Sequence, residues 1–161
     1  MRKLKYLCMF VLGFCIALLI SQPVYGQQNV TFHGHVIEFN EHQEEVICLA
    51  KNIYFEAGNQ PLAGKVAVAQ VVLNRIEHSA YGDTVCDVVY QARWRENWKG
   101  NMVPIRHQCQ FSWFCDGKSD EPLDTDTFFE SYVVASDVLM GKYPDITEGA
   151  THYHSIMVEP Y

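Results

Sequence analysis

The chain has 161 residues, with 12 Lys and Arg against 19 Asp and Glu, a formal charge of −7 with neutral histidines. About half of it is hydrophobic (48%) and 13% is aromatic, the composition of a folded domain with a sizeable core. This acidic balance excludes nucleic acid as a partner, because phosphate recognition needs a basic surface.

Residues 1–26 read as an export signal. Arg2, Lys3 and Lys5 form a basic start, and Tyr6 to Ile20 is an apolar run too short for a comfortable membrane span. Val24-Tyr25-Gly26 offers small residues for cleavage after Gly26, and Phe14 before Cys15 argues against a lipoprotein signal. The competing reading is a retained N-terminal anchor, which would be the chain's only membrane contact. Cleavage removes three basic residues and no acid, so 9 against 19 leaves −10. A leader over 27–43 and one domain over 44–161 follow, and nothing indicates an oligomer.

Cys48, Cys86, Cys109 and Cys115 lie beyond the signal. An even count after an export signal favours disulfides, and three connectivities are open. Because Cys109 and Cys115 close a short loop, Cys109–Cys115 with Cys48–Cys86 is favoured. Cys48 as an unpaired, buried small hydrophobe is the alternative. No spacing matches a structural zinc site.

In the leader a short strand is expected around Val36 to Phe39. Asn40 is a fair N-cap, with Gln43 as its capping-box partner. Val46, Ile47, Ala50, Ile53, Tyr54 and Ala57 then recur at helical spacing. Glu41, Glu44 and Glu45 suit the first turns, and Gly58 is expected to stop the helix at the C′ position. Pro61 opens a second helix, capped by Asn59 or Gln60 and running to about Ile76. Its small residues, Ala63, Gly64, Ala67 and Ala69, keep it thin enough to be the buried central helix.

Tyr81-Gly82-Asp83 reads as a turn, with Asp83 capping a short helix through Val88 or Tyr90. Residues 91–122 show no sustained period and are expected to be irregular, and so functional or disulfide-tied. A last helix is expected from Thr127, with Glu130 completing a capping box. Phe128, Phe129, Tyr132, Val133, Ser136, Leu139 and Met140 would be its apolar face. Gly141 stops it, Pro144 prevents resumption, and Ile146 to Tyr161 return as an extended tail. There are no repeats and no low-complexity tract.

Three clusters could carry chemistry. Glu56 falls in the last turn of its helix, where the macrodipole and the apolar neighbours Tyr54 and Phe55 disfavour the carboxylate form. Such a carboxyl keeps its proton near neutral pH and can act as a general acid. A salt-bridged or solvent-facing helix-end glutamate is the plainer reading of the same spacing. In Cys109-Gln110-Phe111-Ser112-Trp113-Phe114-Cys115, Gln110 and Ser112 stand among aromatics, the composition of a carbohydrate cleft wall or of a stapled core corner. In His152-Tyr153-His154, strand alternation would put both histidines on one face. A zinc-dependent peptidase or amidase built on that pair is the alternative function, but it needs a third ligand. A Cys48 nucleophile with His152 or His154 as base is a further rival, opposed by disulfide pairing.

The chain resembles the SleB-type cell wall hydrolases. The resemblance runs in order from Cys48-Leu49-Ala50 through Ile53-Tyr54-Phe55-Glu56-Ala57-Gly58 to Gly64-Lys65-Val66-Ala67-Val68-Ala69-Gln70-Val71-Val72-Leu73-Asn74-Arg75. It continues in Val85-Cys86-Asp87-Val88-Val89-Tyr90-Gln91, Cys109-Gln110-Phe111-Ser112 and Ala150-Thr151-His152-Tyr153-His154. It implies a predominantly helical α+β domain of the goose-lysozyme and lytic-transglycosylase type over 44–161. It also implies cleavage of the bond between N-acetylmuramic acid and N-acetylglucosamine in peptidoglycan, without a cofactor.

The first acid of the family's Glu-Ala-Arg-Gly-Glu motif lands on Glu56. The motif's Arg and second Glu fall on Gly58 or Asn59 and on Gln60. Gln110, Ser112 and Tyr153 are the expected residues orienting sugar and glutamate, with Asn74 and His154 behind them. Peptidoglycan is itself often anionic, so aromatic and polar groups rather than net charge are expected to hold it.

Overall fold

The computed structural model describes residues 29–32, 35–38 and 41–154. The export signal, the Asn40 cap and the tail beyond His154 lie outside the described residues. An N-terminal unit contains a hairpin of strands β1 (Asn29–Phe32) and β2 (His35–Glu38), antiparallel, with Asn29 opposite Glu38 and Phe32 opposite His35. The expected strand is there, shifted by one residue and paired with a partner that the leader reading did not include.

The larger unit is helical, with helices α1 (Glu41–Ala57), α2 (Leu62–Ile76), α3 (Val85–Val89) and α4 (Thr125–Leu139). One two-stranded sheet, β3 (Ala92–Glu96) and β4 (Met102–Cys109), joins them, and the architecture is α+β. Among the described residues no helix is long and apolar enough to cross a membrane.

Helix α1 is the hub and packs on α2, α3 and α4. Its Leu49, Ala50 and Ile53 are fully buried, against Ala69 and Val72 of α2, Val88 and Val89 of α3, and Ala135 of α4. Gly58 ends α1 for a different reason from the one expected. It is not among the glycines with positive φ. A Cβ there would stand 2.5 Å from the Tyr54 carbonyl oxygen and 3.1 Å from the Thr127 methyl, so glycine permits close approach of α4.

The caps also differ from expectation. Neither Asn59 nor Gln60 caps α2; Pro61 precedes its first residue, and Gln60 Nε2 donates to Asn59 Oδ1. Thr84 rather than Asp83 caps α3, accepting from Asp87 N at 3.0 Å. Asp124 caps α4, taking the N–H groups of Asp126 and Thr127 at 3.1 Å. Glu130 therefore completes no capping box there, and pairs instead with the buried Lys65 at 2.8 Å.

The buried stripe of α4 is Ser131, Val134, Ala135 and Val138, while Phe129, Val133 and Met140 are exposed. Apolar residues are so dense in this helix that two faces satisfy the period. The face of small residues is the more deeply buried, and Phe128, Tyr132 and Leu139 of the expected face pack partly buried against the same core. Gly141, at φ +71°, does stop the helix as expected.

Residues 91–122 are not irregular throughout, because β3 and β4 occupy much of them. Trp94 pairs with Pro104 and Glu96 with Met102, and the register breaks between Ala92 and Trp94. Both strands are largely exposed and bury no alternating face, so the sequence carries no strand period there. Two disulfides staple the unit. Cys48–Cys86 ties α1 to α3, and Cys109–Cys115 spans the end of β4 and the following 3-10 turn (Ser112–Cys115). This is the pairing favoured by the short loop, and it leaves Cys48 no free thiol for nucleophilic work.

Candidate functional site

Glu56 stands in the last turn of α1, beside a cavity of about 400 Å³ lined by Phe55, Glu56, Ser112, Trp113, Asp116, Lys118 and Ser119. One wall is built from α1. Phe55 stacks on Trp113 with ring centroids 4.7 Å apart, and Trp113 Nε1 donates to Oδ1 of the fully buried Asn52 at 3.0 Å. The other wall is the stapled turn, so the Cys109–Cys115 bond holds Ser112 and Trp113 toward Glu56. Asn52 was not picked out in the sequence. Its signal there is only that of a polar residue on the core stripe of α1.

The C-terminal segment reaches the same carboxylate. Tyr153 Oη donates to Glu56 Oε2 at 2.9 Å. No strand forms at 152–154, so the expected one-sided alternation of His152 and His154 does not apply. Three polar side chains of α2 hold the segment instead. Gln70 accepts from Ile146 N at 2.7 Å and donates to the Pro144 carbonyl. Asn74 Nδ2 donates to Thr147 Oγ1 at 2.9 Å and to the Ala150 carbonyl at 3.0 Å. Arg75 Nε donates to the Thr151 carbonyl at 2.9 Å. Unpaired polar groups on a buried helix would be costly, and the tail's backbone and the Thr147 hydroxyl take up most of them.

Arg75 is a buried cation, 5% exposed, with its guanidinium 4.8 Å from the Phe111 ring centroid and 5.3 Å from that of Tyr81. Its Nη1 has no hydrogen-bond partner among the described residues. Burial raises the Glu56 pKa above the ordinary carboxylate value; the Tyr153 hydrogen bond and the Arg75 charge pull it partly back. The Tyr153 hydroxyl is pushed well up, first by burial and then by the Glu56 charge, so it stays a donor.

Asp116 is a second carboxylate in the cavity lining. Its pKa is lowered, chiefly by the hydrogen bond from Lys118 N (2.8 Å) and then by the Lys118 and Arg106 charges. The two carboxyl groups of the cavity are thus driven in opposite directions.

The structure gathers Glu56, Ser112 and Tyr153. It does not bring Asn74 to the cavity, because the Asn74 amide is taken up by the tail. Gln110 is exposed, gives its backbone N–H to Gln91, and is not among the cavity-lining residues. His154 is exposed and outside the lining, and His152 Nδ1 lies 3.0 Å from Thr151 Oγ1. Gln60 lines a separate groove with Leu62, Lys65 and Phe129, so the motif's second acidic position does not share the Glu56 cavity. Among the described residues no three His, Cys, Asp or Glu side chains converge as metal ligands, so the His152 and His154 pair lacks a third one.

The sequence model of the cell wall hydrolases matches residues 59–161. This chain belongs to the cell wall hydrolase family. Glu56 stands just before the range of the family match. The spore cortex-lytic enzyme of Oceanobacillus iheyensis is 39% identical over 51 residues, which cover 32% of this chain and 18% of that protein. That of Bacillus cereus is 35% identical over 51 residues, covering 32% of this chain and 20% of the relative. The alignments thus span about a fifth of the length of these relatives. No solved structure matches the chain.

Proposed function

We propose that this cell wall hydrolase is an exported enzyme that cleaves the glycosidic bond between N-acetylmuramic acid and N-acetylglucosamine in peptidoglycan, as a lytic transglycosylase of lysozyme-like fold. The observation that carries the proposal is Glu56: a carboxyl with a raised pKa, in an aromatic-walled cavity, held by the hydroxyl of Tyr153. The export assignment rests on the N-terminal signal, and the fold assignment on the family resemblance. The name borne by the relatives of the matched stretch agrees with action on a cell wall polymer.

Tyr153 Oη donates to Oε2, which leaves Oε1 to carry the acidic proton. That proton passes to the glycosidic oxygen as the bond to the anomeric carbon breaks and its electron pair goes to the leaving sugar. The substrate's own acetamido group steadies the oxocarbenium-like centre. Glu56, now a carboxylate, removes the proton of the 6-hydroxyl, whose oxygen closes a 1,6-anhydro ring. One carboxyl serves as acid and then base, unlike the two-carboxylate glycosidases.

The test is mass spectrometry of products released from purified sacculi. Anhydro ends, and no release by Glu56→Gln, are the expected results. Undiminished release by that variant overturns the assignment of Glu56.

Asp116 favours a second reading, a muramidase in which it acts as base toward water. Reducing ends would then appear, and Asp116→Asn would remove the acid limb of the pH–rate profile.

A further inference from the structure

The acidic charge of this chain is not evenly spread. Three of its 12 Lys and Arg stand at positions 2, 3 and 5. Of the others, Arg93, Arg95, Lys99 and Arg106 all fall between Ala92 and Cys109, where Glu96 is the single acid. The remaining cations are already engaged. Lys51 pairs with Glu121, Lys65 with Glu130, Lys118 with Asp116 and Lys142 with Asp137, while Arg75 is buried against Thr151. Among the described residues no carboxylate lies within ion-pair distance of the four hairpin cations, and all four are exposed. Arg106 bears on Asp116, whose pKa its charge helps to lower; Arg93 and Arg95 have no such return, and like charges held on a thin ribbon repel, which points to a partner outside the fold.

The same ribbon exposes large apolar groups. Trp98 at its tip is 89% exposed, Met102 60% and Trp94 46%. The tip is preordered. Asn97 N donates to the Asn101 carbonyl at 2.8 Å, and Asn97 Oδ1 accepts from Lys99 N and Asn101 N at 2.9 and 3.0 Å. Lys99 Nζ lies 4.8 Å from the Trp98 ring centroid.

The ribbon is also continuous with the cavity. Trp94 meets Phe114 at 5.9 Å, Phe114 meets Trp113 at 6.2 Å, and Trp113 stacks on Phe55 beside Glu56. Arg95, next along β3, faces the other side of the ribbon. One face thus leads aromatically to the carboxylate, and the other offers Arg95 to a neighbouring strand.

We propose that the β3–β4 hairpin is a wall-binding arm that takes peptidoglycan strands by the carboxylates of their stem peptides and leads one of them along Trp94, Phe114 and Trp113 to Glu56. This rests on the glycosidase reading of the cavity. The alternating carboxylates and sugar faces of such a strand complement the ribbon's cations and rings. An anionic lipid surface would match the cations and Trp98 but not the row running into the cavity.

The experiment uses the full chain carrying Glu56→Gln, so that binding is read without cleavage, on sacculi freed of phosphate polymers. Co-sedimentation is compared before and after the sacculus carboxylates are neutralised as amides. It is repeated with Arg93→Gln/Arg95→Gln and with Trp98→Ala, whose side chains are exposed and whose unchanged melting confirms the fold. The expected result is binding weakened roughly tenfold by the double arginine variant and by amidation, with the loss not additive and a flatter salt dependence. Equal binding to native and amidated sacculi overturns the proposal. So does hairpin-dependent sedimentation with phosphatidylglycerol vesicles but not with sacculi. Failure of the glycosidase reading would show separately, as absence of cleavage by the unsubstituted chain.

Discussion

Tyr153 and Glu56, 97 positions apart, share a hydrogen bond of 2.9 Å from Oη to Oε2. The donor arrives on a segment with no regular secondary structure, held by the amide and guanidinium groups of α2. Carboxyl and orienting hydroxyl are thus fixed by different helices through one strap of chain.

Replacing Tyr153 by Phe removes a bond that favours the charged form of Glu56, so the carboxyl pKa rises further. The alkaline limb of the pH–rate profile is expected to move to higher pH. The maximal rate is expected to fall about tenfold to a hundredfold because the acid loses its orientation. Rates on sacculi across pH, for both proteins, check this.

Glu56→Gln should lose activity and gain stability at neutral pH. The folded-state pKa is raised above the ordinary 4.5, so the native state favours the protonated form. The stability contributed by that preference is full below the unfolded pKa and is lost as pH rises through the folded one. Glutamine carries no such cost. The variant is therefore expected to melt a few degrees above the parent at pH 7, with the difference closing below pH 4.5. Thermal melts at both ends of this window measure it, and a lower melting point for the variant at pH 7 would contradict it.

Asn74→Ala breaks two bonds to the strap, at Thr147 and Ala150. At about 1 kcal/mol for each bond, a stability loss of about 1–2 kcal/mol is expected. Activity should fall further than this suggests, because Tyr153 loses its mooring while Glu56 and the cavity stay intact. Hydrogen exchange should show faster exchange around Thr147 to Thr151 and unchanged protection in α1.

The disulfides should separate stability from activity. Cys48–Cys86 closes a separation of 38 residues and Cys109–Cys115 one of 6. Chain-entropy estimates give about 4 kcal/mol for the first and about 2 kcal/mol for the second. Serine pairs at 48 and 86 should chiefly lower the melting temperature. Serine pairs at 109 and 115 should chiefly lower kcat, since that staple holds Ser112 and Trp113 against Glu56. Melting and turnover of the two double variants provide the comparison.

What the sequence determined by itself is local. Helical periodicity located α1, α2 and α4, the short loop favoured the disulfide pairing, and the place of Glu56 in its helix gave a reason for a raised pKa. Wrong caps at α2, α3 and α4 followed from choosing among adjacent polar residues, a choice that backbone entry angles decide. The exposed strands β3 and β4 left no alternating apolar pattern to read.

Only the tertiary structure decided what meets Glu56. It turned Asn74 from the cavity to the strap, put Asp116 in the cavity lining, and left Gln60 on another groove. These are contacts between distant segments, set by which polar groups on buried helix faces find partners, and no local spacing encodes that.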